Sequence, residues 1–168
     1  MNRSDSVIEL IVNQVVDILK HRATSVYKID ASRLSIGIDP TVYLRHGLVV
    51  VQQPPIELIT GLIQPIPGSS LTKAVSAIQE ALSFGVVIQL NIHDSLLSAL
   101  PISGLTGLPV RIADHFGNKV HLHHRPIIST HDLLTLDCQW FVVEASTIVT
   151  PLAKEFMEGR NINLIKVR

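Results

Sequence analysis

The stretch LTKAVSAIQEALSFGVVIQLNI, Leu71–Ile92, decides the fold. Leu71, Ala74, Val75, Ile78, Ala81 and Leu82 recur at the spacing of one helical face. Gly85 follows as a stop, because glycine ends helices without steric cost. Val86 to Ile92 is then too short for a helix and rich in β-branched residues, so it reads as a strand. Upstream, Gly68-Ser69-Ser70 forms the loop, with serine as the helix cap. Leu48–Val51 is a second apolar run, typical of a strand covered on both faces. Pro54-Pro55 stops it and opens a short helix at Ile56.

The same alternation continues downstream. Ser95–Leu100 reads as a helical turn ended by Pro101. Val110–Ala113 and Val120–His124 are alternating arms around Asp114–Lys119, a β-hairpin. A short helix from Ser129 to Leu136 and a strand over Trp140–Val143 follow. Thr150-Pro151 pairs a capping threonine with proline at the first helical position. That helix ends near Gly159, and Ile162–Val167 is the last strand. Residues 47–168 therefore predict an α/β layered domain with a mostly parallel, mixed sheet and one antiparallel hairpin.

An amphipathic helix precedes this domain. Ile8, Ile11, Val12, Val15, Val16 and Leu19 form one stripe, with Glu9, Asn13, Asp17 and Lys20 opposite. Ser6 and Glu9 read as a capping box at its start. β-Branched residues dominate the stripe, so propensity alone leaves the helix marginal and it needs a surface to lie on. The division is thus a helix over 1–22, a linker over 23–46 with a short strand at Leu34, Ile36 and Ile38 ended by Asp39-Pro40, and the α/β domain over 47–168.

Composition narrows the function. Hydrophobic residues are 46% and charged residues 17%, below the roughly 25% usual in soluble domains. Fourteen basic residues balance fourteen acidic ones, and aromatics are 4%, so neither a field nor stacking groups invite nucleic acid. A lightly charged surface with no net charge favours association. Cys138 is alone, which excludes an internal disulfide and fits a reducing cytoplasm. No apolar run reaches the roughly 20 residues of a membrane span.

The chemical motifs are weak. His121 and His123 fall on one face of a strand, about 6–7 Å apart along the chain, and His124, His115 or His131 could complete a divalent metal site. No cysteine pair and no HExxH spacing supports a metal, so ordinary histidines on the polar face of a hairpin are the favoured reading. His93-Asp94 and His131-Asp132 place histidine beside carboxylate, but no Gly-x-Ser-x-Gly elbow is present. Asp94, Ser95 and Ser129 fit helix caps. Gly68–Lys73 lacks phosphate-loop spacing, and Gly104 and Gly107 make no dinucleotide fingerprint. Cys138 reads as a buried small apolar residue. No catalytic residue and no cofactor are expected.

Ala81–His93, the hairpin segment Phe116–His123, and the ending Ile148–Lys154 with Arg160–Lys166 together resemble the PduM family of propanediol-utilisation microcompartment proteins. The resemblance implies a non-catalytic protein needed for assembly or stability of the bacterial microcompartment that degrades 1,2-propanediol. It implies contact with shell proteins inside a cytoplasmic compartment; lumen enzymes are further candidate partners. The leading helix is also similar to the encapsulation peptides that tether cargo to shells, and its apolar stripe suits a groove between partner helices. Packing of the stripe on the chain's own α/β domain is the first alternative, and homo-oligomerisation through it is another. A small-ligand, flavin or metal-binding accessory enzyme is the competing function.

Overall fold

In the computed structural model, which describes residues 3–167 with side chains from Val7 onward, the sheet has seven strands. The chain runs α1 (Arg3–Thr24), β1 (Val26–Asp30), a 3-10 turn (Ala31–Ile36), α2 (Pro40–Arg45), β2 (Leu48–Gln52), α3 (Ile56–Ile63), α4 (Thr72–Ser83) and β3 (Val87–Ile92). A second 3-10 turn (Asp94–Ala99), α5 (Ile102–Leu105), β4 (Val110–Asp114), β5 (Lys119–His123), β6 (Ile127–Ile128) and α6 (Thr130–Leu133) follow. β7 (Trp140–Val143), β8 (Ile148–Val149), α7 (Pro151–Gly159) and β9 (Asn163–Lys166) complete it. Strand order is β1-β2-β3-β4-β5-β7-β9. β1 to β4 are parallel, β4 and β5 are antiparallel, and β5, β7 and β9 are parallel again. The predicted α/β mixed sheet with one hairpin is the observed architecture.

That reversal at the hairpin decides where the helices lie. A right-handed crossover between parallel strands puts its helix on one face, and reversing the strand direction moves the helix to the other. The connections among β1 to β4 therefore cover one face, where Leu34, Leu58, Ile59, Val75 and Ile78 pack on Val49, Ile88, Leu90 and Ile112. α6 and α7 cover the opposite face of the second half, where Leu133, Ala153 and Met157 pack on Phe141 and Val143. Val142, between those two strand residues, belongs to the first core. The face opposite the first core is polar along β3, where Gln89 donates to Asn91 Oδ1 at 2.8 Å.

The segment 23–46 is not a linker. Val26–Asp30 is the edge strand, paired in parallel with Leu48–Gln52, so the sheet begins ahead of residue 47. Leu34 and Ile36 do not alternate on a strand. They sit in the 3-10 turn, Leu34 fully buried and Ile36 84% exposed. Asp39-Pro40 opens α2 rather than ending a strand, with the Asp39 carboxylate accepting from Thr41 N at 2.8 Å. Ser6 lies inside α1, so it is not the helix cap. The cap read at the start of α4 is also different: Leu71 holds that position without a side-chain bond, and Ser69 Oγ accepts from Leu71 N at 3.1 Å. The cap threonine at Thr150 holds as expected, accepting from Ala153 N at 3.3 Å.

The hairpin turn is held by one carboxylate. Asp114, 1% exposed, accepts at Oδ1 from the backbone of Phe116 (2.9 Å) and Asn118 (2.8 Å). Its Oδ2 accepts from Asn118 Nδ2 (2.8 Å) and Trp140 Nε1 (2.9 Å), which ties the turn to β7.

Candidate functional site

α1 stands clear of the domain. Its nine Val, Ile and Leu side chains from Val7 to Leu19 are each between 39% and 63% exposed. The six residues of the predicted stripe are all among them, and Val7, Leu10 and Ile18 widen the stripe. At 3.6 residues per turn they span an arc of about 240°, interrupted by Gln14. Glu9, Asn13, Asp17 and Lys20 fill the remainder. This width is legible in the sequence, because Val7, Leu10 and Ile18 fall beside the six stripe residues at helical spacing.

Among the described residues, α1 is fastened at its last turn. Arg22 donates from Nε to Tyr43 O (3.1 Å) and from Nη2 to Phe84 O (2.7 Å), and Gly47 N donates to Arg22 O at 2.7 Å. A Cβ at Gly47 would lie 2.7 Å from Arg22 O and 3.2 Å from Ala23 Cα, so glycine is what lets the helix end approach β2. The anchor sits at the amino-terminal ends of β2 and β3, and the apolar arc projects from there.

The histidines divide into two groups. His121 and His123 do share a face of β5, with ring centroids 6.3 Å apart. Both lie against the Phe141 ring, at 5.2 and 5.4 Å. Burial, then the neighbouring His123, pushes His121 below the ordinary imidazole value, and burial does the same to His123. Their surroundings thus favour the uncharged form of both rings. His115 is not with them. Its Nδ1 lies 2.9 Å from Asp94 Oδ1, beyond the other end of the hairpin, and its ring stacks on His93 at 5.1 Å. Among the described residues no three His, Cys, Asp or Glu side chains are grouped to hold a metal.

The two His-Asp dipeptides serve local structure. His93, rather than Asp94 or Ser95, caps the second 3-10 turn, with Nδ1 accepting from Ser95 N at 3.3 Å. Asp132 and Ser129 form a capping box on α6, as the serine predicted. Cys138 is half-buried beside the second core, and burial followed by Asp137 pushes its thiol pKa up. Among the described residues, no helix is long and apolar enough to cross a membrane.

A mixed-sheet α/β domain that holds an uncovered apolar helix at its edge is the class of protein this fold defines. Comparison with known proteins narrows it. Residues 10–163 match the family described as "Putative propanediol utilisation", and the chain belongs to that family. It is 30% identical over 159 residues to the bacterial microcompartment assembly protein PduM of Salmonella typhimurium, covering 95% of this chain and 96% of that one. It is 28% identical over 164 residues to the protein of the same name from Citrobacter freundii, covering 97% and 98%. No solved structure matches the chain significantly.

Proposed function

We propose that this chain is a non-catalytic assembly protein of the bacterial microcompartment for propanediol utilisation, in the cytoplasm, and that α1 is its docking element. The uncovered apolar arc carries the reading. Nine half-exposed side chains present on the order of 800 Å² on one helix, the share one partner gives to a standard-size interface. Monomers rarely leave an apolar patch that large to water. The assembly role given to two near full-length relatives by name supports the same conclusion.

The mate that fits is an apolar groove between helices of a shell protein or a lumen enzyme. Contacts along the arc are worth roughly 1.5–3 kcal/mol for each side chain fully buried, and association and ordering offset much of that. Ile8, Ile11, Val12, Val15, Val16 and Leu19 supply the contact, with Val7, Leu10 and Ile18 beside them.

The test is truncation. Removing residues 1–20 keeps the Arg22 anchor and should leave a domain that melts cooperatively. That protein is expected to lose co-purification with compartments from cells that make them. A truncated chain that still co-purifies at the full-length level rules α1 out as the docking element.

A further inference from the structure

β4 and β5 pair at only two positions, Ile112 with Val120 and Ala113 with Lys119. Each is held along its length by its other neighbour, β3 or β7. Past Ile112 and Val120, away from the turn, the two strands part, and a cleft of about 890 Å³ opens, lined by the end of α5 and the residues after it, by α6 and the residues after it, and by the facing sides of both strands. It lies at the carboxyl end of β5, where the connections change from one face of the sheet to the other. Crevices of that origin are where open α/β sheets take ligands.

We propose that this cleft binds a small organic anion: a short apolar body bearing one carboxylate or phosphate. Its volume is in the range of small-molecule sites. The charge pattern selects the sign. Asp137 in the wall is paired with Lys119, and Asp132 is committed to the Ser129 cap and lies 3.5 Å from Arg125. Arg111, also in the wall, makes no ion pair with any described residue, so one guanidinium is in excess. A guanidinium fork matches a carboxylate or phosphate edge.

The His121 and His123 rings add hydrogen-bonding nitrogens beside it. His123 Nε2 is the only buried side-chain nitrogen or oxygen among the described residues that lacks a hydrogen-bond partner. Native proteins seldom leave such an atom unpaired, and the His123 side chain that carries it lines this cleft. Leu105, Leu122 and Leu136 supply the apolar wall for the body of the ligand. None of this depends on α1 or its partner.

The test is calorimetric titration of the full chain, at constant ionic strength, with inorganic phosphate and separately with butyrate. Saturable binding of at least one probe, one per chain, is expected, and which probe binds assigns the head group. Arg111→Gln and Arg125→Gln are each expected to weaken it at least about tenfold, the loss typical of one charge-assisted hydrogen bond. Both side chains are exposed, so the variants should melt with the parent. Lys28→Gln is the control, because Lys28 shares the sheet face with Arg111 through the register Lys28, Val50, Gln89, Arg111 but lies outside the cleft. Absence of saturable binding of both probes, parental affinity in Arg111→Gln, or equal weakening in Lys28→Gln would each overturn the proposal.

Discussion

The double variant Ile11→Asp, Val15→Asp is expected to fold normally and to fall at least about tenfold in the amount recovered with compartments. Both residues lie near the middle of the apolar arc and are 52% and 48% exposed. Within the chain alone, two exposed substitutions change stability by roughly 0.5 kcal/mol each at most. The melting midpoint should therefore stay within about 4 °C of the parent. In a docked complex the same two carboxylates would be buried against apolar side chains without a cation, which costs several kcal/mol. Asn13→Asp, on the polar side of the helix, adds a charge where solvent remains and should leave recovery unchanged. Recovery measured by quantitative blotting of purified compartments, with the melting curve alongside, separates lost docking from lost folding.

Asp114→Asn is expected to be the most damaging single conservative change, lowering stability by about 3 kcal/mol or more. The carboxylate accepts four hydrogen bonds, two at each oxygen. An amide can replace one oxygen, and its NH2 then faces donors it cannot accept from. If Oδ2 is the atom replaced, Trp140 Nε1 and Asn118 Nδ2 are left unpaired, and each such loss to a charged acceptor is worth roughly 1.5–3 kcal/mol. For a chain of this size that moves the midpoint by about 6–12 °C. A pH signature accompanies it. Burial pushes the Asp114 pKa up, but the bonds from Asn118, Trp140 and Phe116 outweigh it and hold the carboxyl below its ordinary value. A depressed folded-state value means the stabilisation is complete above the unfolded pKa of about 3.9 and drains as pH falls through the folded value. Melting curves from pH 7 down to acid should show this loss in the parent and a flatter acid limb in Asp114→Asn.

The fold was legible wherever periodicity and punctuation agreed. The helix and strand of Leu71–Ile92 needed only the recurrence of Ala74, Val75, Ile78 and Ala81 and the glycine after them. The hairpin followed from its alternating arms, and α7 from Thr150-Pro151. Segment 23–46 was opaque because VYKID at Val26–Asp30 places Lys28 and Asp30 on the solvent side of an edge strand, which removes the apolar run that marks central strands. The alternation at Leu34, Ile36 and Ile38 marks no strand, because the 3-10 turn buries Ala31 and Leu34, three residues apart, and leaves Ile36 exposed. Ser6 resembled a cap because capping residues also occur inside helices.

The site was legible to a different depth. The apolar stripe of α1 is written in sequence, but its freedom from the domain is not, since most amphipathic helices cover their own core. Only the tertiary structure shows that Arg22 and Gly47 fasten the last turn. The cleft is invisible in sequence for a topological reason. It depends on a two-position pairing between β4 and β5 and on helices changing face at the same seam. His121 and His123 were conspicuous, yet what they face was set by Phe141 from another strand.

Hydrogen exchange along α1 tests most directly whether that helix finds its mate on another polypeptide. In the isolated protein at high dilution, the amides of Ile8–Leu19 should exchange far faster than those of Ile88–Ile92, because few tertiary contacts hold them. In protein bound to compartments they should slow at least about tenfold, while β3 is unchanged. Slow exchange of α1 in the dilute protein, with no further protection on binding, would contradict the account.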